Sequence, residues 1–167
     1  MFKNKIAKVP VIMQMEALEC GAASLAMILA YYGKWLPLEK VRADCGVSRD
    51  GSNLKDMSDA AQSYGLQVDA YRCGMDDIKT LPLPAIIHWN FNHFVVLNGF
   101  KKNRAVINDP ARGTVEVSMD DFDKSFTGII VCFSKTEKFV ADGKKKSVLS
   151  FAKKRLKGTL VPFIFVI

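Results

Sequence analysis

The sequence predicts an α+β domain in which N-terminal helices pack on a C-terminal antiparallel sheet. Segments with helical periodicity occupy the first part of the chain, up to about residue 64. From Pro84 onward the chain consists of short β-branched or aromatic runs separated by turn residues. Helices that precede the strands, rather than alternate with them, are typical of this fold class and not of a parallel sheet.

The first helix is predicted over residues 22–32, beginning at or beside Cys20. This segment is rich in Ala, Leu and Met and is apolar nearly all round, which is typical of a buried central helix. Gly33 suits the left-handed conformation that ends many helices. Three further helical segments are predicted, the last of them a single turn: Leu38–Ala43, Leu54–Tyr64 and Met75–Thr80.

Five strands are predicted in the second part of the chain. Each run is four to six residues long, and turn residues such as Asn, Gly and Pro separate the runs. The predicted strands are Ala85–Trp89, His93–Leu97, Arg104–Asn108, Thr114–Val117 and Gly128–Phe133.

The distribution of charge argues against a nucleic-acid-binding protein, although the net charge is +7. Residues 1–134 carry 15 basic and 15 acidic side chains, whereas residues 135–158 carry 9 basic and 2 acidic ones. The whole excess therefore falls in the C-terminal tail, and the body of the domain is neutral.

The chain is expected to divide into a domain over residues 1–138, a tail over 139–158 and an apolar stretch over 159–167. The tail is either a basic linker or an amphipathic helix beside a membrane, and a solvated linker remains the alternative. The apolar stretch is too short to span a bilayer and is expected to be the start of a truncated membrane segment. A hydrophobic end packed on the domain remains possible.

The cysteines and the N-terminus point to a reduced compartment. Cys20, Cys45, Cys73 and Cys132 form no CxxC pair, so neither a zinc ribbon nor a thioredoxin motif is present, and no metal site is expected. Polar residues interrupt the first 16 positions, which excludes the apolar run of a signal peptide. Basic residues beside a membrane segment favour the cytoplasmic side.

Three residues have the types and the order of a cysteine-peptidase triad. Cys20 lies at the predicted helix start, where free N–H groups stabilise a thiolate. His93 begins one predicted strand and Asp109 follows the next, so adjacent strands can place a base beside the group that orients it. Singly, each residue also fits a structural role, as a buried thiol, a strand-edge histidine or a turn aspartate.

The chain resembles the bacteriocin-processing peptidase family, the papain-like domains at the N-termini of peptidase-containing ABC transporters. Three stretches carry the resemblance, and its order and spacing hold over about residues 8–134. They are Gln14 followed after five residues by Cys20-Gly-Ala-Ala23, then His93-Phe-Val-Val-Leu97, and then Asn108-Asp-Pro-Ala-x-Gly113.

The resemblance implies a papain-like fold and assigns four catalytic roles. Cys20 would be the nucleophile, His93 the base and Asp109 its partner, while Gln14 would donate to the oxyanion beside the Cys20 backbone N–H. Glu19 stands where the family often has Asp, a change that we expect to leave the mechanism intact.

Other side chains of the reactive types are weaker candidates. His88 is the rival for the base, but it lies outside the motif of the family. The remaining cysteines are expected to be packing residues. Trp89 and Phe91 could form a wall of the substrate cleft or be ordinary core aromatics.

The resemblance further implies a cysteine endopeptidase that removes an amphipathic leader helix by cutting after a Gly-Gly or Gly-Ala pair. This cleavage would be coupled to the export of the peptide, which is a bacteriocin, a lanthipeptide or a signalling peptide. A non-catalytic leader-docking module is the alternative, and another papain-like acyl-transfer enzyme is a third possibility. No cofactor is implied, because ATP would bind only to a transporter portion that this sequence lacks. The expected partners are the precursor peptide, the membrane and a second copy in a homodimeric transporter at the cytoplasmic side of the bacterial membrane.

Overall fold

The computed structural model describes residues 6–49 and 51–144, and these ranges contain four α-helices and six strands. The helices are α1 Cys20–Tyr31, α2 Leu38–Asp44, α3 Leu54–Ser63 and α4 Met119–Ser125. The strands are β1 Leu66–Arg72, β2 Ala85–Trp89, β3 His93–Lys101, β4 Arg104–Asp109, β5 Gly113–Ser118 and β6 Phe126–Lys135.

The strands form one antiparallel sheet in the order β1-β6-β2-β3-β4-β5. Because successive side chains of a strand point to opposite faces, the sheet separates two cores. Residues such as Ile86 and Val96 face α1 and α3, whereas Ile87 and Leu97 pack with Phe122 of α4. The predicted α+β architecture, with helices packed on an antiparallel sheet, is confirmed.

Helix α1 is buried from Cys20 to Ala30, as expected from its apolar surface on all sides. Gly33, with φ of +100°, ends it in the left-handed region. Helix α3 is capped by Asn53, whose side chain accepts a hydrogen bond from the Asp56 N–H. The helical turn predicted at Met75–Thr80 is shorter than expected, since a 3-10 turn forms only over Ile78–Thr80.

Two elements were not predicted from the sequence. Strand β1 lies at the edge of the sheet and exposes most of its side chains, so its sequence lacks the apolar run of a central strand. Helix α4 buries one residue, Phe122, and its acidic neighbours give no apolar stripe. Both elements depend on tertiary contacts more than on local pattern.

The chain after β6 packs back on the helical side of the domain. Phe139 contacts the core that lies between the sheet and helices α1 and α3. The Trp35 N–H donates to the Asp142 carbonyl over 2.7 Å. Most of the predicted tail, and all of residues 159–167, lie outside the described residues. Among the described residues, none of the helices has the length and the apolar character that a membrane span requires.

Candidate active site

Cys20 is the first residue of α1 and lies where this helix meets the start of β3. One turn further along, the Ser24 hydroxyl donates to the Phe94 carbonyl over 3.2 Å, which attaches the two elements at this end. The first N–H groups of a helix have no intrahelical partners and favour a negative charge nearby. The fold therefore places the thiol in an environment that stabilises its ionised form.

His93 and Asp109 come together because β3 and β4 are antiparallel. The start of β3 lies at the same end of the sheet as the end of β4. The His93 Nε2 atom is 2.8 Å from Asp109 Oδ1. An ionised carboxylate can only accept, so Nε2 carries a proton and Nδ1 is the nitrogen left for the Cys20 thiol.

Asp109 is held by three donors, although its side chain is nearly fully buried. Besides His93, the Ala111 N–H donates to Oδ1 and the Arg112 guanidinium Nε donates to Oδ2, both over 2.8 Å. Burial raises the pKa of this carboxyl, but the hydrogen bonds from His93, Arg112 and Ala111 outweigh it and lower the pKa. Asp109 is therefore an ionised, fixed acceptor.

Cys20 and His93 are a coupled pair of opposite charge. Burial of Cys20 raises its pKa, yet hydrogen bonds to His93 and to the Phe94 backbone, with the charge of His93, leave the pKa lowered. Burial lowers the pKa of His93, yet Cys20 and Asp109 leave it raised. Both shifts favour a thiolate beside an imidazolium.

Gln14 is tied to the same end of the sheet by its backbone. Its N–H donates to the carbonyl of Pro110, the residue after Asp109, over 2.9 Å. Its side chain is half-buried, and Oε1 has no hydrogen-bond partner among the described residues. The structure thus brings the backbone of Gln14 to the loop that follows Asp109 and leaves the oxygen of its amide without a partner among the described residues.

The other three cysteines and His88 have pKa shifts that favour their neutral forms. Burial raises the pKa of Cys45 to about 12 and that of Cys132 to about 11, and it also raises the pKa of Cys73. Cys20 alone among the four cysteines has a lowered pKa. The His88 Nδ1 atom lies 2.8 Å from the Thr127 hydroxyl, and burial lowers the pKa of His88.

The two aromatic residues before His93 differ sharply. Trp89 is buried and packs on Phe122 with ring centroids 5.4 Å apart, so of its two interpretations the structure supports a core aromatic. Phe91 is 80% exposed and has a φ of +62° in the turn between β2 and β3. A positive φ is uncommon for a bulky residue, and Phe91 remains the predicted cleft residue.

The sequence did not reveal Arg112 as a partner of Asp109 or Arg42 as a partner of Glu19. The Arg112 guanidinium donates a hydrogen bond to the Asp109 carboxylate. Glu19, next to Cys20, is a buried carboxylate that forms an ion pair with Arg42 of α2. The three-residue spacing in Asp109–Arg112 could have indicated the first pair. The second pair joins separate elements, so only the packing of α2 against α1 reveals it.

Comparison with known proteins decides the family. The Peptidase C39 family matches residues 8–138. The chain belongs to this family. It is 40% identical over 122 residues to the colicin V secretion/processing ATP-binding protein of Escherichia coli, covering 73% of this chain and 18% of that protein. It is 38% identical over 135 residues to the probable microcin-H47 secretion/processing ATP-binding protein of Escherichia coli, covering 81% and 19%.

A solved structure with high sequence identity has the same fold. It is a double glycine motif protease from an AMS/PCAT transporter in complex with the leader peptide, 64% identical, with a TM-score of 0.77. The match covers 78% of this chain and 94% of that one. The chain is thus a papain-like cysteine peptidase, and it spans about a fifth of the length of the curated relatives it matches.

Proposed function

We propose that this C39 peptidase cuts leader peptides from ribosomally made precursors after a Gly-Gly or Gly-Ala pair, with Cys20 as nucleophile. The observation that carries the proposal is the His93–Asp109 pair, joined over 2.8 Å, together with a thiol at the start of a buried helix whose pKa His93 lowers. This arrangement supplies a thiolate, a base and a group that orients the base.

The proposed reaction is acyl transfer in two steps. The Cys20 thiolate attacks the scissile carbonyl carbon, and the resulting oxyanion accepts hydrogen bonds from the Gln14 side chain and the Cys20 backbone N–H. The His93 imidazolium gives its proton to the leaving amine as the C–N bond breaks. Neutral His93 then takes a proton from water, which attacks the thioester and releases the leader with a new carboxyl group.

Asp109 contributes through His93 and not through the substrate. Its Oδ1 fixes the Nε2–H tautomer and stabilises the imidazolium, while Arg112 keeps the carboxylate ionised. All proton transfers take place between side chains of this chain, water and substrate. The proposed mechanism therefore needs no cofactor, and ATP would serve only a transporter portion.

The substrate class is supported by the relatives. The solved structure at 64% identity is a double glycine motif protease with its leader peptide, and the curated relatives are named as secretion and processing proteins. We infer that the partner of this chain is a precursor with an amphipathic leader helix. We further infer that cleavage takes place at the cytoplasmic side of the bacterial membrane, within a homodimeric exporter.

The test is mass spectrometry of a Gly-Gly leader–core peptide incubated with the native chain, with Cys20→Ala and with Cys73→Ala. One cut after the second glycine is expected with the native chain and with Cys73→Ala, a control that removes a thiol outside the site. The cut should disappear with Cys20→Ala. Leader binding without any cut by the native chain would contradict the proposal and favour a docking module.

A further inference from the structure

Glu19 is a buried carboxylate next to the proposed nucleophile, and the mechanism above gives it no role. It is only 3% exposed. A buried carboxylate is costly unless its oxygens accept hydrogen bonds or face an opposite charge. The groups that its carboxylate contacts therefore indicate its role.

The first set of contacts is to the backbone just after Gln14. Glu19 Oε2 accepts from the Met15 N–H over 2.8 Å and from the Glu16 N–H over 3.0 Å. Hydrogen bonds to an ionised acceptor are stronger than those between neutral groups. The carboxylate thus fixes the two peptide units that follow Gln14.

The second contact holds the carboxylate itself. Glu19 Oε1 lies 3.0 Å from the Arg42 guanidinium of α2. Arg42 is 40% exposed and also lies 3.1 Å from Glu16 Oε2. The guanidinium balances the negative charge of Glu19, which would otherwise stand unpaired beside the Cys20 thiolate.

Gln14 is consequently held from both sides. Its own N–H is bonded to the Pro110 carbonyl beside Asp109, and the next two N–H groups are bonded to Glu19. Its side-chain amide oxygen Oε1, in contrast, has no hydrogen-bond partner among the described residues. The position of that amide thus depends on the backbone anchors.

We propose that Glu19 is a positioning residue that places Gln14 for oxyanion binding, with Arg42 holding the carboxylate. The inference rests on the proposed function, because Gln14 is the oxyanion donor only if Cys20 attacks a carbonyl. Glu19 touches no reacting atom and acts through the backbone of residues 14–16. Small displacements of a donor cost rate, because electrostatic stabilisation in an active site depends on fixed geometry.

A double-mutant cycle on kcat tests the coupling, using the Gly-Gly leader–core peptide and the native chain, Gln14→Ala, Glu19→Gln and the double variant. Loss of an oxyanion donor costs about 10²–10³ in kcat, and its misplacement by Glu19→Gln should cost about tenfold or more with KM little changed. In the Gln14→Ala background the Glu19→Gln effect should fall below about twofold. A full independent effect in that background would overturn the proposal.

Alkylation of Cys20 by iodoacetamide separates positioning from general damage. This reaction needs the thiolate but not an oxyanion donor, so its limiting rate at alkaline pH, where the thiol is fully ionised, should be the same in Glu19→Gln and the native chain. A parallel loss of alkylation would overturn the proposal by showing that Glu19 supports the thiolate or the fold. Glu39→Gln, which removes a carboxylate from an exposed position on α2, is the matched control and should match the native kcat.

Two more variants keep the test decisive. Glu19→Asp retains a carboxylate and should be faster than Glu19→Gln, and equal rates would overturn the need for the charge. If thermal unfolding shows that Glu19→Gln does not fold, Arg42→Met replaces it in the cycle. Arg42→Met should lower kcat by a smaller factor, and this effect on kcat should likewise disappear in the Gln14→Ala background. If the native chain alkylates but cuts no leader, the proposed function has failed before Glu19 is tested.

Discussion

At the scale of single residues, hydrogen bonding rather than burial distinguishes Cys20 from the other cysteines. Burial raises the pKa of Cys45 to about 12, and nothing near that thiol compensates it. Cys20 is also buried, but His93 and the Phe94 backbone reverse the direction of the shift. The proposed nucleophile is therefore recognisable by its neighbours, and residue type or burial alone would not select it.

The charge of Asp109 makes a testable difference to the pH profile. On the proposed mechanism, kcat/KM rises as Cys20 ionises and falls as His93 loses its proton, with both limbs belonging to the coupled pair. Asp109 raises the pKa of His93. Asp109→Asn should therefore lower that pKa and move the alkaline limb to lower pH, with a lower maximum.

Initial cleavage rates from pH 5 to 10 check this expectation. Asp59→Asn is a suitable control because Asp59 is exposed and pairs only with Lys55 among the described residues. An alkaline limb that stays at the same pH in Asp109→Asn would contradict the assigned role of the carboxylate.

At the scale of elements, the site depends on how the N-terminal segment is attached to the sheet. Residues 6–14 run beside β3 and β4, where the Ala7 N–H donates to the Asn98 carbonyl. The Asn108 amide donates to the Val9 carbonyl and accepts from Asn98. Asn108 precedes Asp109, so one pair of adjacent residues anchors both Gln14's segment and His93.

Asn108→Ala should lower stability strongly, because Asn108 is fully buried and has three hydrogen-bond partners. The Val9 carbonyl and the Asn98 amide would lose their partner, at about 1–3 kcal/mol for each buried group. Urea unfolding should show a total loss of roughly 2–6 kcal/mol. Thr114→Val, which removes one donor to Asn108, should cost less, and equal losses would argue against the network.

The elements that carry the triad could be predicted from the sequence, whereas its supports could not. Apolar periodicity predicts α1, and β-branched runs predict β3 and β4, so the positions of Cys20, His93 and Asp109 at the ends of these elements follow from local pattern. Their catalytic roles were assigned through the family resemblance. Gln14 lies in an irregular segment and was found only through the family resemblance. The Glu19–Arg42 pair depends on the packing of two helices, which no local pattern specifies.

At the scale of the whole molecule, the described chain ends with a segment fastened to the helical side. The Thr136 hydroxyl donates to the Gly65 carbonyl over 2.7 Å. A Cβ at Gly65 would lie 2.7 Å from the Phe139 nitrogen, so the close approach of the two backbones requires glycine there. The packed domain thus extends past residue 138, where the family match ends.

Phe139 should be the main source of stability in that segment. Its ring packs edge-on against Tyr32 with centroids 6.1 Å apart, and the Lys34 ammonium lies 5.6 Å from its centroid. A fully buried Phe→Ala change costs about 3–5 kcal/mol of stability, so for this half-buried ring we expect a cost of about 1–3 kcal/mol.

Val140 is 65% exposed, and Val140→Ala should change the free energy of unfolding by less than about 0.5 kcal/mol. Urea unfolding of both variants measures the difference, and equal stabilities would mean that the segment is not part of the domain. Because Phe139 lies on the helical face and not at the triad, kcat for leader cleavage should stay unchanged in Phe139→Ala at temperatures where it is folded.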